Sequence, residues 1–292
     1  MKIEVKGHSG CNIEIVREGN TFYIEKGTRD SHYVPRLLAQ FEKQQRAYAV
    51  CRGGIRIPQI YHVTHDNDFA VARMEYVYSQ NFIDFFETAG FEGINEFMEH
   101  IVEYVENEIN ASPIQEVSSG VVLAKFKDVQ LKMGENQMIN QDEEIKVLMT
   151  EASSCFNALP AQLFLPIGQC HGDMTFSNIL FNKSNLYLID FLDSFIESPL
   201  MDLVKLRQDS AFGWSELMFT GKFDQTRLHI ISTRIDTYLH THFSEYEWYR
   251  QYYEAFQLMN FLRVLQYAKE KKVIQYLKNV IAQLLKGGSH EL

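Results

Sequence analysis

The sequence is poor in several features that assign a protein to a class at once. Its four cysteines lie far apart without a C-x-x-C pair, so the spacing predicts neither a zinc site nor a disulfide framework. No run approaches the roughly 18 consecutive apolar residues of a membrane span, and the first residues lack the apolar region of a secretory signal. These absences argue against a membrane protein or an exported protein, and we expect a cytoplasmic one.

Basic residues are also few. The chain has 28 Lys and Arg against 38 Asp and Glu, which gives a net charge of -10. Because nucleic-acid-binding proteins usually carry a basic stripe, we expect no nucleic-acid partner. With 46% hydrophobic and 23% charged residues, the 292-residue chain is typical of a folded globular protein, with room for one large domain or two lobes.

The first quarter of the chain alternates in the manner of β-strands. The segments "CNIEIV" and "TFYIEKG" flank the turn residues "REGN", which predicts a hairpin. Residues 34–50 repeat apolar positions at helical spacing behind Pro35, which predicts an amphipathic helix. The segments "GGIRIPQIYHVT" and "FAVARMEYVY" predict one strand each. Residues 1–77 are therefore expected to form a small β-rich lobe with one helix.

The remainder of the chain, residues 78–292, is mostly helical by its periodicity. Strong helical patterns occur in "INEFMEHIVEYVENEI" and "DEEIKVLMTEASSCFNAL", and two short strands are predicted at "NILF" and "LYLID". We therefore predict an α+β protein of two lobes, a small antiparallel sheet with one helix and a larger, mostly helical lobe.

One stretch, "QCHGDMTFSNILFNKSNLYLIDFLDS", places His171, Asp173, Asn178 and Asp190 around short apolar segments. Phosphoryl transfer requires a carboxylate at the acceptor hydroxyl and oxygen ligands that hold Mg²⁺ on the phosphates. The order D-x-x-x-x-N, hairpin, apolar-Asp-Phe is the order that protein kinases use. It predicts Asp173 as the catalytic base and Asn178 with Asp190 as metal ligands. Each residue alone could instead satisfy turn backbone groups, but the joint pattern favours a catalytic site.

The same stretch resembles the aminoglycoside phosphotransferase and choline kinase-like superfamily, where H-G-D-x-x-x-x-N and I-D-F replace the protein-kinase H-R-D and D-F-G. The segments "CHGDMTFSNILF" and "LYLIDFLD" carry the resemblance, and "SPLMDLVKL" is similar to the downstream D-L-A segment. The resemblance implies a protein-kinase-like fold and a small-molecule kinase. It also implies that His171 and Asp202 support the catalytic loop, although Asp202 is equally suited to the positive end of a helix dipole.

A kinase interpretation demands a Lys on a small-lobe strand for the phosphates and a Glu on the next helix to hold that Lys. Lys26 ends "TFYIEKG", and the following helix carries Glu42. Their order along the chain favours the two as a pair. We therefore predict that Lys26 and Glu42 belong to the catalytic site.

On this interpretation residues 1–77 form the nucleotide-binding lobe and residues 78–292 the catalytic and substrate-binding lobe, and the nucleotide is expected to contact two backbone segments of the small lobe. Ser9 and Gly10 lie in a short turn between the first strands, where glycine lets backbone N–H groups approach phosphate oxygens. The stretch "ARMEYVY" resembles the hinge between kinase lobes, so the adenine is expected against the backbone from Glu75 to Val77. The predicted cofactors are ATP, with GTP possible, and Mg²⁺.

The acceptor is predicted to be a small molecule with a hydroxyl group: a sugar, amino sugar or amino alcohol, with choline disfavoured. Carboxylates and aromatic faces suit such ligands, so we consider Asp193, Glu197, Trp248 and Tyr252 as candidate binding residues. The aromatic run "YEWYRQYYEAF" is equally compatible with helix packing. The sequence therefore leaves the acceptor and its binding residues open.

Two other functions are compatible with a kinase fold. A nucleotide-binding pseudokinase that regulates a partner usually lacks a metal ligand or the base, whereas this sequence has both. A Ser/Thr protein kinase is disfavoured because the H-R-D arginine, the D-F-G glycine and an A-P-E segment are absent. A phosphotransferase enzyme acting on small molecules remains the leading prediction.

Overall fold

The computed structural model of the protein describes residues 2–5, 11–183 and 185–287. The strands are β1 Lys2–Val5, β2 Asn12–Glu18, β3 Thr21–Thr28, β4 Ile55–Arg56, β5 Ile60–His65, β6 Ala70–Glu75, β7 Ile114–Ser118, β8 Gln162–Pro166, β9 Ile179–Asn182 and β10 Asn185–Leu188. The helices are α1 Val34–Val50, α2 Phe82–Thr88, α3 Phe91–Asn110, α4 Gly120–Glu135, α5 Glu143–Asn157, α6 Pro199–Ser210, α7 Trp214–Met218, α8 Gln225–Phe243, α9 Glu247–Leu265 and α10 Lys271–Gly287.

An antiparallel sheet and one helix form the first part of the molecule, called the small lobe below. Its strand order is β1-β2-β3-β6-β5. The β2–β3 hairpin turns at Gly19, whose φ of 60° is a backbone conformation that favours glycine. Helix α1 packs Leu37 and Phe41 into a small core with Ala72 and Met74 of β6. This lobe agrees with the predicted sheet and helix.

One predicted strand is in fact two strands that belong to different sheets. The segment "GGIRIPQIYHVT" is divided at Pro58, because proline has no N–H group to donate to a strand ladder. Strand β5 joins the small lobe, whereas β4 pairs in parallel with β10. Ile55 and Ile57 are accordingly buried in the core of the helical part. The division of the chain at residue 77 stays a prediction.

The helical part, called the large lobe, is built around a continuous apolar core from α2 to α10. An aromatic cluster within it includes Phe86, Phe97, Phe176 and Phe181, and the ring centroids of Phe86 and Phe176 are 5.4 Å apart. This packing anchors the 3-10 turn at 176–178 and strand β9. None of the helices in the described part of the chain has the length and apolarity that a bilayer crossing requires.

Two short strands that the sequence pattern does not reveal lead into the polar stretch. Strands β7 and β8 pair antiparallel, with Ile114 opposite Pro166. Strand β7 is exposed at nearly every position, and β8 alternates in burial but has the apolar Phe164 at an exposed position, so neither sequence shows the polar and apolar alternation that predicts a strand. The chain leaves β8 into the loop 167–178 and continues through the β9–β10 hairpin to the segment 189–198.

Candidate active site

Helix α6 directs three polar side chains at the loop that carries Asp173. Asp202, Lys205 and Asp209 are spaced i, i+3, i+7, which places them on one face of the helix. The remaining positions of α6 are mostly apolar and buried. The helix therefore contributes both core packing and a polar stripe that faces the loop.

Asp202 binds the loop backbone. Its side chain is fully buried and accepts hydrogen bonds from the backbone N–H groups of His171 and Gly172, the latter at 2.7 Å. Because a carboxylate buried without such donors would be strongly destabilising, the loop and the helix depend on each other. These bonds are the contact that a bracing role for Asp202 requires.

The imidazole of His171 connects two segments of the site. Its Nε2 donates to the carbonyl of Ile189 at 2.9 Å, and its Nδ1 accepts from the backbone N–H of Asp173 at 3.2 Å. Burial lowers the pKa of His171, which favours the neutral ring that this pattern of one donor and one acceptor needs. His171 therefore joins the Asp173 loop to the residue that precedes Asp190.

Gly172 occupies a position that excludes a side chain. Its φ is 89°, and a β-carbon there would collide with the carbonyl oxygen of Leu192. The backbone of His171 in turn accepts a hydrogen bond from the N–H of Leu192 at 3.0 Å. The glycine that stands in place of the protein-kinase arginine thus allows two chain segments to approach closely.

The carboxylate of Asp173 is held by two donors. Lys205 Nζ lies 3.0 Å from Oδ1, and the Asn178 amide donates to Oδ2 at 3.0 Å. Burial tends to raise the pKa of Asp173, but the charge and hydrogen bond of Lys205 outweigh it, so the pKa lies below its usual value. Asp173 is therefore an ionised acceptor near neutral pH.

Asp190 lies next to Asn178 through the backbone, because Ile189 N–H donates to the Asn178 carbonyl at 3.0 Å. Its φ of 67° is in the left-handed region, which Asp tolerates better than most residues. The Asp190 carboxylate forms an ion pair with Lys26, whose side chain is only 9% exposed. The structure thus brings together Lys26, Asp190, Asn178 and Asp173 from both lobes.

The donor set at Asn178 and Asp190 fits Mg²⁺. An amide oxygen and a carboxylate are hard oxygen ligands, and Mg²⁺ is usually held by one or two carboxylates together with substrate phosphates. Within the described ranges, no group of three or more His, Cys, Asp and Glu side chains is placed to bind a metal. A site of this composition would therefore depend on the nucleotide for its remaining ligands.

Glu42 does not meet Lys26. It lies on the exposed face of α1, and in the described part of the chain Lys26 makes its ion pair with Asp190 alone. The buried positions of α1 are Val34, Leu37, Gln40, Phe41 and Gln44, so the helix turns Glu42 away from the sheet. The expected Lys26–Glu42 pair is corrected accordingly.

Asp193 and Glu197, predicted to bind the acceptor, instead connect the lobes. Asp193 pairs with Arg36 at 2.7 Å, and Glu197 pairs with Lys43 at 2.6 Å. Lys43 also donates to the carbonyl of Leu192 at 2.7 Å. Both carboxylates are thus occupied by cations of α1.

Trp248 and Tyr252 are buried in the core, with exposures of 6% and 4%. Helix α9 is surrounded by other elements on most of its faces, so its aromatic run packs against helices rather than lining a binding surface. Neighbouring Tyr249 accepts a hydrogen bond from Arg207 at 2.7 Å. Trp248 and Tyr252 thus belong to the helix packing, and their acceptor-binding role stays a prediction that this burial does not favour.

The predicted nucleotide contacts are described only in part. Ser9 and Gly10 lie outside the described residues. The N–H of Glu75 donates to the Gln59 carbonyl at 2.9 Å, so that group is engaged within the lobe. Val77 lies in the linker that follows β6, where its carbonyl accepts from Ser79 Oγ at 3.4 Å. The linker, with Val77, is the part of the predicted hinge that remains suitable for adenine.

Two residues of α6 lie behind the loop: Lys205, which the sequence reasoning missed, and Asp209, which it considered only as an acceptor-binding carboxylate. Lys205 holds Asp173, and Asp209 accepts from the backbone N–H groups of Phe176 and Ser215. Burial raises the pKa of Asp209 to about 6, although these hydrogen bonds act in the opposite direction. A polar stripe in an otherwise apolar helix was the available sequence signal for both residues.

Glu108 of α3 is a buried carboxyl group beside Asp202. Its Oε2 has no hydrogen-bond partner among the described residues, and burial together with the charge of Asp202 raises its pKa well above the ordinary value. Glu108 therefore keeps its proton near neutral pH. A neutral group at this position avoids two adjacent buried negative charges.

Comparison with known proteins identifies the segment that holds this site. The model of the phosphotransferase enzyme family matches residues 124–225, which include the Asp173 loop, Asp190 and α6. Within residues 124–225 the chain is therefore similar to the phosphotransferase enzyme family. No curated protein sequence matches the chain.

The fold of the whole chain is that of aminoglycoside phosphotransferases. A ternary complex of a thermostable APH(4)-Ia mutant with AMP-PNP and hygromycin B has a TM-score of 0.66 at 9% identity, over 99% of this chain and 95% of that one. Wild-type aminoglycoside 2'-phosphotransferase-IIIa with GDP has a TM-score of 0.61 at 15% identity, over 99% and 93%. The APH(2")-IIIa complex with GDP and kanamycin gives 0.60 at 15% identity, over 98% and 93%.

At these identities the structural likeness establishes the fold, and the family match covers the catalytic segment. The kinase-like two-lobed fold and the resemblance to this superfamily are confirmed, as is the assignment to the phosphotransferase enzymes. The roles of individual residues within the site stay predictions.

The close contact at Gly172 gives a first testable prediction. Gly172→Ala should lower the free energy of unfolding by at least about 2 kcal/mol, because the variant combines an unfavourable φ with a backbone collision. Urea unfolding measures this value. Gly134→Ala in α4 is the matched control, since nothing lies within 4 Å of a β-carbon there. Equal stability of the two variants would contradict the close approach.

The raised pKa of Glu108 predicts a pH dependence. Folded Glu108 keeps its proton, whereas unfolded Glu108 loses it above about pH 4.3, so this group's contribution to stability falls as pH rises. Glu108→Gln removes the titration and keeps the shape. Its free energy of unfolding should therefore rise relative to wild type between about pH 5 and pH 8. Urea unfolding across this range measures the difference in the free energy of unfolding between variant and wild type. For the control Glu99→Gln, an exposed position on α3, this difference should not change with pH.

Proposed function

We propose that the chain is an ATP- and Mg²⁺-dependent phosphotransferase that moves the γ-phosphoryl group to a hydroxyl of a small molecule. The observation that supports this most is the convergence of one cation and three metal- or proton-binding groups. Asn178 contacts Asp173 through its side chain and the residue before Asp190 through its backbone, and Asp190 pairs with Lys26. A kinase reaction requires this set of groups at one place.

Asp173 is the proposed base. Its ionised carboxylate can orient the acceptor hydroxyl and receive its proton. As the hydroxyl oxygen bonds to the γ-phosphorus, the bond from that phosphorus to the β–γ bridging oxygen breaks and ADP leaves. Because Lys205 is 3.0 Å from Asp173, it keeps the carboxylate ionised and in place before the acceptor arrives.

Lys26 is proposed to contact the nucleotide phosphates, which would compete with Asp190 for its ammonium group. Asp190 and the side-chain oxygen of Asn178 would hold Mg²⁺. When bound, Mg²⁺ neutralises charge on the phosphates. The adenine is proposed to contact the linker at Val77, and Ser9 with Gly10 to contact phosphate oxygens.

The similar structures that hold AMP-PNP or GDP support a nucleoside triphosphate as the phosphoryl donor and leave both ATP and GTP as candidates. Those with hygromycin B or kanamycin support a small-molecule acceptor. We propose a sugar, an amino sugar or an amino alcohol. A cytoplasmic location is proposed as well, because ATP is supplied there.

The base assignment predicts the effect of Asp173→Asn. Transfer from radiolabelled ATP to an accepted substrate should fall about 100- to 10,000-fold, because the amide cannot take the proton. Nucleotide binding, measured by calorimetry, should change little. The matched control Asp66→Asn, an exposed turn residue whose Oδ1 accepts from Asp68 N–H, should keep wild-type activity. Full activity of Asp173→Asn would contradict the mechanism.

Because Glu42 does not contact Lys26, substitutions of the two residues should affect the KM for ATP differently. Lys26→Ala should raise the KM for ATP about 10- to 100-fold, since a charged hydrogen bond to phosphate is lost. Glu42→Gln should leave the KM unchanged, because Glu42 is exposed and not paired with Lys26. Steady-state kinetics with varied ATP test both. A comparable loss in Glu42→Gln would show that the helix turns toward Lys26 during the reaction.

A further inference from the structure

Arg263 is a cation near the proposed catalytic base that the mechanism does not use. It lies in the last turn of α9, partly buried, with its guanidinium over the ring of Phe195 at 5.4 Å. Unlike Arg36 and Lys205, it makes no ion pair within the described residues. A partly buried arginine without a counter-ion is unusual, because burial of a lone charge is unfavourable.

The contact with Phe195 places Arg263 against the segment 190–197, whose Asp193 pairs with Arg36 of α1. Burial lowers the pKa of Arg263, while the carboxylate of Asp173 acts in the opposite direction. Arg36 and Asp193, at the junction of the two lobes, also act on Arg263. Phe195 belongs to the segment whose Leu192 N–H donates to the His171 carbonyl at 3.0 Å, so its contact with Phe195 places Arg263 beside the loop that carries Asp173.

The carboxylates of this region are already neutralised. Asp173 pairs with Lys205, and Asp193 pairs with Arg36. On α4, Asp128 lies between two lysines, at 2.7 Å from Lys125 and 2.9 Å from Lys132, and the Lys132 ammonium also interacts with Arg263. Positive charge is thus in excess here, although the whole chain carries a net charge of -10.

We propose that Arg263 binds an anionic group of the acceptor, a carboxylate or a phosphate ester, and so determines which hydroxyl compounds are phosphorylated. The proposal rests on the proposed function and narrows its acceptor class. The planar guanidinium suits a carboxylate or phosphate because it donates two parallel hydrogen bonds. Phe195 under the guanidinium fixes its orientation.

The same charges disfavour an acceptor that carries several ammonium groups. A cationic ligand in front of Asp173 would be repelled by Arg263, and it would find Asp193 and Glu197 already paired with Arg36 and Lys43. Repulsion between partly buried charges is screened less by salt than repulsion between exposed ones. Among hydroxyl compounds, acids are therefore favoured over amines.

A matched set of sugars tests the proposal. Glucose, glucosamine, glucuronate and glucose 6-phosphate share a ring and differ in charge, and phosphoryl transfer from radiolabelled ATP to each is measured as kcat and KM. Glucuronate or glucose 6-phosphate should be used with the highest kcat/KM, and comparison of the two distinguishes a carboxylate from a phosphate ester. Preferential transfer to glucose or glucosamine would overturn the inference.

A variant separates acceptor binding from nucleotide binding. Arg263→Gln should raise the KM for the preferred anionic sugar about 10- to 100-fold and leave the KM for ATP and the rate with glucose near wild type. Arg46→Gln, an exposed arginine on the outer face of α1, is the matched control. If Arg263→Gln instead raises the KM for ATP, the residue serves the nucleotide and the inference is wrong.

A binding measurement distinguishes failure of the proposed phosphotransferase function from failure of the proposed preference for anionic acceptors. Binding of AMP-PNP with Mg²⁺ is measured by the thermal shift of the wild-type protein. If a protein that binds AMP-PNP transfers phosphate neither to the four sugars nor to the amino alcohol ethanolamine, the proposed function is contradicted and the inference with it, whereas transfer to ethanolamine alone contradicts only the inference. Transfer to sugars without preference for the anionic ones contradicts the inference alone.

Discussion

The polar stripe of α6 is the constraint on which the rest of the site depends. Asp202, Lys205 and Asp209 lie on a helix that is otherwise buried, so their side chains require partners. The loop that contains Asp173 supplies those partners, largely through backbone N–H groups that would themselves be unsatisfied. Because each side needs the other, the loop has one favourable conformation, and the carboxylate of Asp173 is positioned by structure formed before any ligand binds.

A second set of interactions joins the lobes. Strand β3 and helix α1 supply Lys26, Arg36 and Lys43, and the segment from 190 to 197 supplies a carboxylate for each. Arg36 and Asp193 are half exposed, so their pair contributes little free energy and is weakened by salt. Such contacts can set the position of α1 over the segment 190–197 and still allow the lobes to separate.

The sequence predicted those parts of the site that are local along the chain. His171, Asp173, Asn178 and Asp190 could be predicted as one group from their order in the sequence, because the short β9–β10 hairpin brings them together. Glu42 was misassigned because its order along the chain is suitable, whereas its phase on α1 places it outside the face that packs on the sheet. Trp248 and Tyr252 could not be assigned because α9 is apolar on nearly all sides, so its periodicity does not indicate which face meets the site. Partners across the lobes, such as Arg36 for Asp193, are a property of tertiary packing.

The net charge of the chain and the local charge near Arg263 differ in sign, because packing pairs the nearby carboxylates with cations. An acidic chain suggests cationic ligands only if its carboxylates are available, and in this cleft they are paired with Lys205, Arg36, Lys125 and Lys132. What a ligand meets is the charge that remains after pairing, and here that charge is the guanidinium of Arg263. Net charge therefore describes the solvent-exposed surface as a whole, whereas selectivity at a partly buried site depends on the few groups that the fold leaves without a counter-ion.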